Sequence, residues 1–63
     1  MTQKELLYFE DAISHEDIII QIINDNLNNL SDNKIKSFMN GEIKKHKILR
    51  DNLNALLQEV SNG

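Results

Sequence analysis

The chain has 63 residues, contains neither cysteine nor proline, and carries a formal net charge of −3. A chain this short forms one domain at most, and without cysteine it has neither a disulfide nor a cysteine-based zinc site to stabilise it. Its charge balance lacks the basic footprint that nucleic-acid binding requires, and the apolar run Ile18–Ile20 is far too short to cross a membrane.

The first predicted element is a helix over about residues 3–29. Thr2 and Glu5 have the spacing of a capping box, in which each residue satisfies a backbone N–H group of the other. After this box, one set of positions recurs at alternating steps of three and four residues, which is the pattern of a helical seam. The set is Leu6, Phe9, Ile13, Glu16, Ile20, Ile23, Leu27 and Leu30.

A turn is predicted at about residues 29–32, followed by a second helix over about residues 33–60. Ser31 or Asp32 can cap that helix, and Asn62 with Gly63 suits its C-terminal end. Gly41 costs about 1 kcal/mol in mid-helix, and it reflects either a close approach or sequence drift. The second seam is predicted at Ile35, Met39, Glu42, His46, Leu49, Leu53, Leu56 and Val60.

Two long helices joined by a short turn predict an all-α, antiparallel two-helix hairpin that forms a single domain over residues 1–63. Apolar residues also flank both seams: Ala12, Ile18, Ile19, Ile22, Phe38, Ile43, Ile48 and Leu57. Because a hairpin buries only one stripe per helix, this surplus predicts a homodimer or higher homo-oligomer, with a four-helix bundle as the expected unit. The residues predicted at the oligomer interface are Phe9, Ile13, Ile19, Ile20, Ile23, Phe38, Met39, Leu49 and Leu53.

Three polar residues interrupt the two seams. Glu16 and His46 each lie fifteen residues from Ser31, and Glu42 precedes His46 by one helical turn, so we expect one cluster. Carboxylates and imidazoles from a bundle can hold two metal ions, which makes the cluster a candidate site for iron, manganese or zinc. However, Glu42 and His46 have Glu-x-x-x-His spacing instead of Glu-x-x-His. A hydrogen-bonded layer that aligns the helices explains the same residues without metal, and we prefer it.

Another polar face of the first helix carries Tyr8, Asp11 and His15 at steps of three and four residues. These side chains either orient the histidine of the cluster or are solvated.

The stretch ELLYFEDAISHEDIIIQII combines a leucine-rich opening with His15-Glu16, and DNKIKSFMNGEIKKHKILRDNLNALL combines an Asn/Asp turn with His46 in mid-helix. In these features, nearly the whole chain resembles the short helical modules of the spore coat protein F-like group, which belong to the ferritin-like bundles. The resemblance implies a ferritin-like hairpin and an association with sporulation or the spore coat. It does not imply ferroxidase activity.

The predicted function is therefore non-catalytic. The chain has no glycine-rich phosphate loop, and its serines show no nucleophile elbow or partner spacing. The preferred interpretation is a small cytoplasmic or spore-associated interaction protein that self-associates and needs no cofactor. The two alternatives are a metal-binding ferritin-like half-module and a small helical regulator that docks on a larger protein partner.

Overall fold

The computed structural model describes the backbone of residues 1–62 and the side chains of residues 1–60. It contains two helices, α1 (Gln3–Asn26) and α2 (Asn33–Asn62), with a short 3-10 turn at Leu27–Asn29 between them. The described residues contain no β-strand, so the prediction of an all-α chain is confirmed. The C-terminal cap predicted at Gly63 lies outside the described residues.

The start of α1 is set by a complete capping box. The Glu5 backbone N–H donates to Thr2 Oγ1 at 3.1 Å, and the Thr2 backbone N–H donates to Glu5 Oε1 at 3.0 Å. The hydrogen bond from the Thr2 backbone, followed by that from its side chain, lowers the pKa of the Glu5 carboxyl. Glu5 is therefore a carboxylate at neutral pH, which is the form that the box and the positive end of the helix dipole favour.

The connection between the helices is held by side-chain amides and one carboxylate. Asn26 Nδ2 donates to the Ile22 carbonyl at 2.7 Å, and the regular α-helix stops there, before the predicted end at about residue 29. Asp32 Oδ1 then accepts from the backbone N–H groups of Lys34 and Ile35 at 2.7 and 3.3 Å. Of the two predicted caps, Asp32 therefore satisfies the first free N–H groups of α2.

The two helices lie side by side and antiparallel. With 24 and 30 residues, they are roughly 36 and 45 Å long at 1.5 Å per residue, whereas the whole chain extends over 47 × 15 × 10 Å. Two helices of that length fit into that shape only if the chain reverses at the turn. Contacts between residues about thirty positions apart, such as Glu16 with His46, join the helices near their middles.

The seam of α1 faces α2 as predicted. Every predicted position is buried or half-buried, whereas neighbouring Leu7, Tyr8, Ile18 and Ile22 are more than half exposed. Ile20, at 6% exposure, lies deepest in α1. The three-and-four spacing therefore identified the contact face of this helix correctly.

The seam of α2 is rotated relative to the prediction. Met39, His46 and Leu53 face α1 as expected, but four predicted members lie outside, with exposures of 41–49%. These four are Ile35, Leu49, Leu56 and Val60. Lys36, Ile43, Arg50 and Leu57 lie between the helices instead, and the predicted member Glu42 is half-buried beside Ile43. The physical reason lies at mid-helix: this rotation buries Ile43, also at 6% exposure, where the predicted face would have buried the Glu42 carboxylate at a much higher cost.

Gly41 offers a stabilising substitution. A Cβ atom built at this position meets no atom within 4 Å, so nothing in the hairpin requires a glycine there. Because alanine loses less backbone entropy in a helix, we expect Gly41→Ala to raise the free energy of unfolding by about 1 kcal/mol. Urea unfolding followed by circular dichroism tests this, and a destabilised variant would show that a neighbouring molecule needs the space.

Candidate functional site

The three polar residues that interrupt the seams meet in the middle of the hairpin. Nδ1 of His46 in α2 is in hydrogen-bonding contact with Oε2 of Glu16 in α1, and Nε2 lies 3.9 Å from Oε2 of Glu42. The side chain of Glu16 is 14% exposed, and those of His46 and Glu42 are 26% and 25% exposed. The imidazole thus lies between two carboxylates, one on each helix, in a layer that is largely shielded from water.

This polar layer fixes the alignment of the two helices. A one-turn slip of α2 along α1 would separate Glu16 from His46 and leave a poorly solvated carboxylate without its partner. Nowhere in the described residues do three histidine, aspartate or glutamate side chains form a group that could hold a metal ion. Aligning the helices therefore follows directly from the contacts, whereas metal binding would need the side chains to move or further ligands to be added.

A second ion-pair network lies close to this layer. Arg50 Nη1 is 3.1 Å from Asp17 Oδ1 across the hairpin, and Arg50 Nη2 is 3.1 Å from Asp51 Oδ1. These hydrogen bonds, led by that of Asp17, raise the pKa of the Arg50 guanidinium. Arginine is tolerated at a seam position because its stem packs against α1 while its charged end reaches the edge.

The polar layer supports a prediction about the Glu16–His46 pair. His46→Leu leaves the Glu16 carboxylate without its imidazole, whereas Glu16→Leu leaves His46 still beside Glu42. We expect each substitution to lower the free energy of unfolding by about 1–3 kcal/mol, with His46→Leu the costlier of the two. The double variant is expected to recover most of the loss, since apolar groups then replace both partners. A double-mutant cycle measured by urea unfolding tests this, and strictly additive losses would contradict it.

The hairpin has two chemically different broad sides. In an antiparallel pair, the residues just before the seam positions of both helices point to the same side, because reversal of the chain and reversal of the facing direction cancel. On this side, which we call the apolar side, the apolar residues are Tyr8, Ala12, Ile19 and Ile22 from α1 and Ile35, Phe38, Leu49 and Leu56 from α2, and polar residues such as His15, Glu42 and Lys45 lie among them. Exposure there is high: Phe38 is 64% exposed and Ile22 is 55% exposed.

The opposite side, which we call the polar side, is formed by the residues that follow the seam positions. It includes Glu10, Asp17 and Asn24 from α1 with Asn33, Asn40, Lys47 and Asn54 from α2. No apolar residue occupies these seven positions, and the Asp17–Arg50 ion pair bridges the helices along this edge. The two sides therefore differ in composition, although Leu7, which follows the seam position Leu6 on the polar side, is 53% exposed.

The residues predicted at an oligomer interface divide into two groups. Six of them lie between α1 and α2 within one chain: Phe9, Ile13, Ile20, Ile23, Met39 and Leu53. The other three, Ile19, Phe38 and Leu49, lie on the apolar side. Sequence reasoning did not place Tyr8, Ile35 and Leu56 at an interface, and it gave Ile22 only as part of the apolar surplus beside the seam. The signal that could have identified them is their position directly beside the seam on one side of both helices.

Tyr8, Asp11 and His15 are all exposed, so within the hairpin they are solvated and do not orient His46. Over the residues described, neither helix combines the length and the hydropathy of a membrane span. Comparison with known proteins gives no match: no family model, curated protein or solved structure is detectably similar to the chain. The geometry of the hairpin is therefore what bears on function.

Proposed function

We propose that this chain is a non-catalytic interaction protein that self-associates through the apolar side of its hairpin into a four-helix bundle. The observation that carries this proposal is the contrast between the two broad sides: one has eight apolar residues in two patches, whereas polar residues predominate on the other. A hairpin that worked alone in water would have no physical reason for such a one-sided distribution.

The small core of the hairpin supports the same proposal. Among residues 1–60, only Ile20 and Ile43 are buried, each at 6% exposure. Ordering each residue costs roughly 1–2 kcal/mol of conformational entropy, and chains of this length usually need staples or oligomerisation to offset that cost. Since cysteine is absent, covering the apolar side is the means of stabilisation that the chain offers.

The apolar side is also large enough to form a stable interface with a second copy. The broad side of the hairpin measures 47 × 15 Å between Cα atoms, which is comparable to the roughly 800 Å² that each partner buries in a stable interface. Covering it would bury Phe38, Ile22 and Leu56, each of which contributes about 1.5–3 kcal/mol when fully removed from water.

Sedimentation equilibrium over a wide range of protein concentrations tests the proposal. We expect a mass of twice the 7.3 kDa chain at micromolar concentration, together with a melting temperature that rises with protein concentration. A folded monomer throughout the range would overturn self-association. The apolar side would then be the docking surface of a small regulator for a larger protein.

Metal binding is the second candidate function: one hairpin has no three-ligand group among its described residues, but Glu16, Glu42 and His46 meet at one level and could contribute ligands to a larger site. A four-helix bundle with a two-fold axis contains this cluster twice, which provides more ligands than one hairpin does. Thermal unfolding of metal-stripped protein with anaerobic Fe(II), Mn(II) or Zn(II) tests it. A rise in melting temperature that is lost in Glu42→Ala supports a metal site, and an unchanged melting temperature contradicts it.

The cytoplasmic location and the association with sporulation that the family resemblance implies belong to this proposal. Tagging the protein in a spore-forming host and following it through sporulation tests both.

A further inference from the structure

The contact between Glu16 and His46 sets the register of the hairpin, so each residue of the apolar side can be assigned a distance from the turn. Both residues lie fifteen positions from Ser31. With a rise of about 1.5 Å per residue in both helices, residues equally distant from Ser31 in sequence lie at about the same level. The apolar side can therefore be described along its length, from the turn to the open end where the helix termini lie.

The apolar side consists of two patches separated by polar residues. The turn patch contains Ile19, Ile22, Ile35 and Phe38, and the open-end patch contains Tyr8, Ala12, Leu49 and Leu56. Along α1, His15 separates the patches; along α2, Glu42 and Lys45 separate them, with Glu42 at about the level of Ile19. Lys45 Nζ is 3.4 Å from Glu42 Oε1, so these two charges are already paired within the chain.

We propose that two copies dock head to tail, with the turn patch of each copy covering the open-end patch of the other. This inference rests on the proposed self-association and adds the orientation of the two copies. The two-fold axis then crosses the helices at right angles near His15. It places α1 against α1 of the second copy and α2 against α2, each pair antiparallel.

The spacing of the residues along α1 supports the head-to-tail orientation. Ile22 lies about as far from the turn as Tyr8 lies from the open end, and Ile19 matches Ala12 in the same way. In the head-to-tail dimer, each of these residues therefore meets an apolar residue of the second copy. The polar Asn26 and Glu5 also face each other, and His15 meets its own copy at the axis.

Most residues of α2 show the same symmetry. Phe38 faces Leu56 of the second copy, and Glu42 faces Asn52, so apolar meets apolar and polar meets polar at these positions. The exception is Ile35, which lies level with Glu59 of the second copy. Lys45 lies level with Leu49 of the second copy, where its stem covers the leucine and its ammonium group, 77% exposed as a side chain, reaches water.

The alternative dimer, with both turns at the same end, brings α1 against α2 of the second copy and matches poorly. It places Ile19 level with Glu42, Tyr8 midway between Asn52 and Leu56, and His15 midway between Lys45 and Leu49. Burying a carboxylate against isoleucine is costly, and an imidazole beside an ammonium group adds no attraction. Among the apolar residues of α1 on this side, only Ala12, which lies level with Leu49, is matched directly with an apolar residue in that arrangement.

The absence of cysteine makes disulfide trapping a clean test, since each introduced thiol is the only one in its chain. In the head-to-tail dimer, two His15→Cys residues meet at the axis, close enough for a disulfide under mild oxidation. We expect most His15→Cys chains to form covalent dimers. Ser14→Cys is the matched control, because it lies one position away on a face turned from the apolar side, and we expect little cross-linking there.

Mixed variants distinguish the two orientations. One mixture contains Ala12→Cys and Ile19→Cys chains, and the other contains Ala12→Cys and Leu49→Cys chains. After oxidation, we expect the first mixture to give several times more disulfide-linked heterodimer than the second. The reverse preference, in a protein that sedimentation shows to be a dimer, overturns the head-to-tail arrangement and leaves the proposed function intact. A monomeric mass for the unmodified chain overturns the proposed function, and the arrangement with it.

Discussion

Replacing Ile43 by alanine is expected to unfold the protein at far lower denaturant concentration than the unmodified chain. Ile43 is one of two buried side chains among the described residues, and removing a buried isoleucine costs about 2–5 kcal/mol through lost transfer energy and the cavity left behind. In a chain with so small a core, that loss is a large fraction of the total stability. Urea unfolding followed by circular dichroism, at one fixed protein concentration, measures the effect.

Ile48→Ala is the matched control for this prediction. Ile48 lies in the same helix and has the same side chain, but it is 62% exposed. Its replacement is expected to change the free energy of unfolding by less than about 0.5 kcal/mol, because alanine has the higher helix propensity and little apolar contact is lost. Equal losses at residues 43 and 48 would show that α2 does not turn its Ile43 face toward α1.

Phe38→Glu is expected to separate the dimer into its chains. In a single hairpin, Phe38 is 64% exposed, so a glutamate there would be harmless if the chain worked alone. In the four-helix bundle, the substitution removes about 1.5–3 kcal/mol of apolar burial and adds the cost of placing a charge in the interface. We expect association to weaken at least a hundredfold and the melting temperature to fall at micromolar concentration.

Ser37→Glu provides the control for charge and helix position. It adds the same single negative charge one residue away, on an exposed position outside the apolar side. Sedimentation is expected to show an unchanged dimer for Ser37→Glu and a concentration-dependent monomer for Phe38→Glu. Indistinguishable masses for the two variants would argue against the apolar side as the interface.

The two substitutions also separate the two levels of organisation. Ile43→Ala acts inside the hairpin, so it is expected to destabilise the chain at every protein concentration. Phe38→Glu acts between copies, so its effect on the melting temperature is expected to shrink as the protein is diluted and the unmodified dimer dissociates as well.

Interactions between residues close in sequence allowed much of the fold to be predicted. The Thr2–Glu5 box marked the first residue of α1, and Asp32 supplied a cap for α2, because both depend on side chains within three residues of the groups they satisfy. The contact face of α1 was also predicted correctly. Seven of its eight positions are apolar, whereas polar residues occupy most of the positions on the other faces.

The level of the polar layer was also predictable. Glu16 and His46 stand at equal distances from the turn, and in an antiparallel hairpin equal distances give equal height. The sequence did not determine which group the His46 imidazole contacts. The alternatives were Glu16 in α1, Glu42 in α2, or a ligand.

The rotation of α2 was decided by the tertiary structure. Two sets of positions, one with Glu42 and Leu49 and the other with Ile43 and Arg50, share Met39, His46 and Leu53, so the spacing alone did not separate them. Packing against α1 selected the set that buries Ile43, because Arg50 can reach Asp17 at the edge whereas Glu42 could not be buried without cost. That choice turned Leu49 and Leu56 outward and so created the apolar side. The sequence determined the helices and their caps through local interactions, whereas the surface available to a partner depended on how the helices packed.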